Sequence, residues 1–186
     1  MSLIKSLGRA YRLRRHRLGI GVHSPFAYRV VRDVIYGKGH YYALLQFRQL
    51  TAGFTKKLKR EYGIIFRLTA RLAPQGIRLA GSVEPQMELL IRMADMRPMM
   101  GRGMGGYKSS AGVMTICEST DLMKSLPEGL LNTGNILVLR RLKDAPQVFR
   151  AVCDRMKGGW VFADRNMAIA ISDEREPLNR IEVKML

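Results

Sequence analysis

The 186-residue chain has two cysteines, Cys117 and Cys153, one tryptophan and three histidines. Two thiols build neither a disulfide framework nor a cysteine-rich zinc site, and the expectation is a reduced, buried pair. His16, His23 and His40 have no spacing that sets two imidazoles on one helix face, so no metal centre is expected. There is no run of 18 apolar residues, which argues against a membrane-spanning helix. The first 17 residues lack the apolar stretch of a secretory signal, because Arg9, Arg12, Arg14, Arg15 and Arg17 interrupt it. A cytoplasmic location is therefore the expectation.

Acidic side chains are also scarce, at 15 against 32 basic ones, for a net charge of +17. The shortage is local. Residues 1–80 carry 17 basic and 2 acidic side chains (Asp33 and Glu61), whereas residues 81–186 carry 15 and 13. Net charge speaks to partners rather than to fold. The first part therefore asks for an anionic partner, and the second reads as an ordinary folded body.

What is present is a globular balance, 47% hydrophobic and 25% charged, in a chain of one-domain length. Residues 3–18 fit a basic helix, which either docks on the rest of the chain with its arginines in solvent or lies on an anionic surface such as a membrane or nucleic acid. Ser24 is placed to cap a second helix with Pro25 at its first position, and Phe26, Ala27, Val30, Val31 and Val34 form its buried stripe. A third helix is expected over 42–60, with Lys56, Lys57, Lys59 and Arg60 at its end, where cations suit the helix dipole. A fourth, over 64–73, stops at Pro74.

Past Pro74 the pattern alternates between short apolar runs and amphipathic stretches. Strands are expected at 77–80, 113–117, 135–139, 160–164, 167–171 and 181–185. Helices follow Pro85, Ser119 or Thr120, and Asp144, each of the latter three serving as a cap. Residues 97–112, with their many glycines and Pro98, read as loop. The last two strands, joined by a polar loop, read as an antiparallel hairpin at a sheet edge. The twelve methionines read as core filler plus a loosely packed loop. The fold class is thus α/β, a basic helical segment at 1–74 followed by a Rossmann-like sheet at 75–186.

Gly21-Val22-His23-Ser24-Pro25-Phe26, with Tyr41-Tyr42-Ala43 beyond it, resembles a bacterial group of class I S-adenosylmethionine-dependent methyltransferases. In that group a helical N-terminal segment with this signature precedes a Rossmann-like domain. Residues 135–141 and 160–171, with Asp164, resemble its later strands. The resemblance implies a glycine-rich cofactor turn after the first strand, an acidic residue ending the second strand, and an Asp-Asp pair ending a later one. At these positions the chain has Leu79-Ala80-Gly81-Ser82-Val83-Glu84-Pro85, Cys117-Glu118 and Arg140-Arg141. Gly81, Ser82 and Glu118 are therefore the candidate cofactor contacts. Pro85 stands at a glycine position, and two guanidiniums stand where carboxylates would be.

Arginine side chains are permanently protonated and donor-only. A strand end bearing Arg140 and Arg141 suits an anion better than a sulfonium cofactor. The sheet also looks one strand–helix unit short of the family pattern. Two functions follow: a methyltransferase using S-adenosylmethionine, or a catalytically degenerate relative that binds an anionic partner, RNA or DNA among them. His23, Lys56, Lys57, Lys59, Arg60, Arg140 and Arg141 are the candidate partner surface. A third alternative is an interaction subunit paired through its sheet edge as a homo-oligomer.

Overall fold

The computed structural model describes residues 3–17, 22–37, 44–81, 83–103 and 111–186. Ser82, Gly21, His40, residues 41–43 and the glycines at 105–106 lie outside the described residues.

The helical segment begins with α1 (Leu3–Arg17) and α2 (Pro25–Arg29), the latter running on as a π-helical turn, Val30–Ile35. Ser24 caps α2 as its sequence suggests, accepting the Ala27 N–H at 3.3 Å, with Pro25 in the first turn. The expected third helix is broken. α3 (Leu44–Leu50) stops early and α4 (Lys56–Leu72) starts afresh. The Thr51 hydroxyl bonds back to the Phe47 carbonyl at 2.8 Å, and Thr55 caps α4 by accepting the Leu58 N–H. Lys56, Lys57 and Lys59 thus open a helix rather than close one, a correction with electrostatic consequences. What reads as a fourth helix is the second half of α4, which ends where Ala73 adopts φ 44° before Pro74.

The sheet has seven strands, one more than the sequence suggests. They are β1 (Gly76–Leu79), β2 (Met99–Arg102), β3 (Val113–Glu118), β4 (Ile136–Arg140), β5 (Gly159–Ala163), β6 (Ala168–Ser172) and β7 (Leu178–Glu182). Their spatial order is β2-β1-β3-β4-β6-β5-β7. β2, β1, β3 and β4 run parallel, β6 is antiparallel to both neighbours, and β7 lies parallel to β5. Two expectations are corrected. Residues 97–112 contain a strand, β2, pinned beside β1 with the Met99 N–H donating to Gln75 O and the Gly103 N–H to Leu79 O. Pro98 is tolerated because it precedes an outer strand. The antiparallel hairpin is β5–β6, and β7 pairs with β5 instead of β6.

Helices α5 (Pro85–Ala94) and α6 (Pro146–Arg155) cross between parallel strands. Neither Asp144 nor Ser119 caps as expected. Asp144 belongs to a 3₁₀ turn, Leu142–Asp144, and Glu118 caps another, Ser119–Leu122, through a reciprocal pair with Asp121. Both sheet faces are covered, so the central strands are continuously apolar. Ile77, Met114, Ile116, Val138 and Phe162 meet α4 and α5 on one face. Cys117, Leu137, Leu139, Val161 and Ala170 meet α6 on the other. The helical segment shares the first core: Val31, Tyr62, Ile65 and Leu68 are fully enclosed there. Phe26 of the G-V-H-S-P-F signature lies on Trp160 of β5, centroids 4.6 Å apart. Ser24, Pro25 and Phe26 of the signature therefore hold the fold together, while His23 is exposed. No described helix is long and apolar enough to cross a membrane.

Candidate functional site

The chain leaves β1, moves outward to β2, and then crosses to β3 on the other side. In an open α/β sheet the crevice beyond the carboxyl ends of the strands at such a reversal is where ligands bind. Here that crevice is a cleft of about 350 Å³. Glu61 and Lys57 of α4, Glu84 before α5, Glu118 of β3, and Arg140 and Arg141 at the end of β4 line it. Gly81 turns the chain just after β1 with φ 70°.

Arg140 is the hub. Its side chain is 2% exposed. Its Nε donates to Glu61 Oε1, and its Nη1 and Nη2 reach the two Glu84 oxygens at 2.8 and 3.0 Å. The fork geometry and charge make the Glu84 contact a strong one. Burial alone would raise the Glu84 pKa, but the Arg140 bonds outweigh it and hold the carboxyl below its ordinary 4.5. Burial works against the Arg140 charge too, yet Glu84 and Glu61 hold its proton more firmly than usual. The Tyr62 hydroxyl donates to Glu84 Oε2 at 3.4 Å, and burial together with the Glu84 charge keeps that phenol protonated well past its normal range.

Arg141 is 60% exposed and sits in the left-handed region, at φ 51°. The Ser119 hydroxyl holds its carbonyl at 2.8 Å, and the Asn166 carbonyl accepts the next N–H, from Leu142. This backbone swings the guanidinium over Glu118, with Nη1 at 3.2 and 3.1 Å from the two oxygens, and brings Nε to 3.5 Å from Asp144 Oδ2. A non-glycine residue in this region is strained and persists only where its surroundings hold it. At the other wall Lys57 Nζ donates to Asn166 Oδ1 at 2.7 Å.

The sequence-selected residues therefore gather only in part. Gly81, Glu118, Arg140, Arg141 and Lys57 meet at the strand ends. His23 is exposed outside the cleft lining, and Lys56, Lys59 and Arg60 do not line the cleft either. The paired guanidiniums are not a free anion trap: Arg140 is enclosed by two carboxylates, and Arg141 leans on two more. Glu118 belongs to the third strand, across β1 from β2. The second strand ends in Arg102, which pairs with Glu88 at 3.0 Å.

Gly81 has a local reason to be glycine. A Cβ built there would fall 2.0–2.3 Å from the carboxylate atoms of Asp121. Asp121 Oδ2 is itself held by the Glu118 N–H at 2.9 Å. The open space that a backbone turn offers a ligand is taken up by the chain's own carboxylate.

Sequence reasoning missed Glu61, Glu84 and Asp121. Glu61 did carry a signal: it is one of two acids among residues 1–80, and it shares the helical spacing of Ile65 and Leu68, the buried stripe of α4. No group of three or more His, Cys, Asp or Glu residues arranged for a metal ion occurs among the described residues. No protein-family model, curated protein or solved structure matches the chain.

Proposed function

We propose that the chain is a methyltransferase-type Rossmann domain whose strand-end site has been closed by its own side chains, and that it acts as a non-catalytic binding protein for an anionic partner. The type is supported by four parallel strands followed by a late hairpin whose antiparallel strand, β6, inserts between β4 and β5. It is supported as well by the Gly81 turn after β1. The observation that carries the loss of catalysis is the Asp121 carboxylate packed into the concavity of Gly81. A cofactor's amino-acid end needs bare backbone at that point.

Three neighbouring features agree with it. Pro85 opens α5 where a second glycine would let a ligand approach. Glu84 and Glu118 are committed to arginines and are poor partners for ribose hydroxyls. Arg102 ends the strand from which an acidic residue would reach the sugar. These residues do not fit S-adenosylmethionine.

Calorimetric titration tests the reading. With S-adenosylmethionine or its demethylated product, no saturable heat is expected up to millimolar ligand. Saturable binding at micromolar concentration would restore the enzyme.

A further inference from the structure

The anionic partner has a place on the structure. The end of β7 and the segment that follows it form a seam between α1 and α4. On one side the His16 Nδ1–H donates to the Glu182 carbonyl at 2.7 Å, and Arg12 lies 3.9 Å from the Glu182 carboxylate. On the other side Arg60 Nη2 reaches the Lys184 carbonyl at 2.7 Å. The Lys184 N–H is fixed by the Tyr36 hydroxyl at 2.9 Å. Two residues of extended chain span only about 7 Å. The anchored ends of Arg12 and Arg60 are therefore brought close, with the exposed Lys184 between them. Lys57 stands about one turn before Arg60 on α4 and forms part of the cleft wall. Arg12, Lys184, Arg60 and Lys57 thus follow one another from α1 to the strand-end cleft, with the Glu182 carboxylate beside Arg12. At its α1 end Tyr11 is 63% exposed, with the Arg15 guanidinium 5.8 Å over its ring.

We infer that this row of side chains is a binding surface for single-stranded RNA, with phosphates tracking Arg12, Lys184, Arg60 and Lys57 and an unpaired base stacking on Tyr11. The inference rests on the non-catalytic reading above and names its partner. The residue types are those of sequence-tolerant single-strand binding: a basic groove that follows the backbone and an exposed aromatic that takes a base. Stacking on Tyr11 requires an unpaired base, which excludes a duplex. RNA is the single strand that cells hold in quantity, since their DNA is mostly duplex. An anionic membrane would need an apolar helix face to bury. Vesicle binding is therefore the outcome of the test below that would favour a membrane over RNA.

Fluorescence anisotropy with a labelled single-stranded RNA of mixed sequence tests this. Four phosphate contacts predict a log–log salt slope of about −3. The variant K57E/K184E should lose about tenfold or more in affinity at low salt and flatten that slope. Tyr11→Ala should lose about tenfold with the slope unchanged, and Tyr11→Trp should keep the affinity. Lys57, Lys184 and Tyr11 are all exposed, and circular dichroism of each variant checks that it is folded. The wild-type slope is an independent reading that needs no variant. A salt-independent signal, tighter binding to duplex RNA or to single-stranded DNA, or equal retention on phosphatidylserine vesicles unaffected by Tyr11→Ala would each overturn the inference. Silence toward RNA in a protein that also ignores S-adenosylmethionine removes this inference alone. Saturable binding of the cofactor removes the reading beneath it.

Discussion

Arg140 shows how much one side chain can decide. A buried guanidinium survives only with partners, and this one has two carboxylates from distant parts of the chain. Removing one partner from such a pair leaves a charge stranded in the interior. Arg140→Leu is expected to destabilise the fold by about 3–5 kcal/mol in urea denaturation, because Glu61 is left buried and alone. Adding Glu61→Leu should recover most of that loss, since Glu84 is 38% exposed and can turn to water. Failure of the second substitution to help would mean that the network contributes through geometry and not through charge balance. Arg141, one residue on, has a different fate because its backbone turns left-handed and points it outward.

The first turn of α4 carries Lys56, Lys57 and Lys59 and no acid. Cations there oppose the positive end of the helix macrodipole. Lys56→Glu should therefore raise stability by about 0.3–1 kcal/mol, read as a melting shift of about 1–3 °C. An unchanged or lower melting point would show that Lys56 has an attractive partner the dipole argument omits. The same helix shows where sequence reading runs out. The break before α4 depends on the Thr51 and Thr55 hydroxyls bonding to backbone, a choice that propensity alone does not reveal. The strands β3 to β6 were legible because burial on both faces makes them continuous apolar runs. β2 was not, since Met99-Met100-Gly101-Arg102 has no β-branched residue and owes its form to the waiting edge of β1. In the site, the Gly81 turn was legible, and Glu118 was legible as a strand end, although of β3 and not of the second strand. Their surroundings were not, because Arg140 meets carboxylates 79 and 56 residues away.

At the scale of the molecule, Glu61, Glu84 and Arg140 tie the helical layer, the β1–α5 turn and the sheet into one knot. Glu84 is held below its ordinary 4.5 in the folded state. Its contribution is complete above that value and disappears as the pH falls through the lower, folded one. Stability measured by urea denaturation should hold steady from neutrality to about pH 5 and then drop with acid. In Glu84→Gln the drop should be shallower. If the variant and the parent lose stability in parallel, other carboxylates govern the acid limb.

The tilted stack of Phe26 on Trp160 has a practical consequence. The chain contains a single indole, and it sits at the joint where the helical segment meets the sheet. Its ring is almost wholly enclosed, and its Nε1–H has no acceptor among the described residues. The emission of that lone fluorophore is thus a native gauge of whether the two layers are closed on each other. Detachment of α2 would register as a red shift and new access for a soluble quencher, with no label attached to the protein.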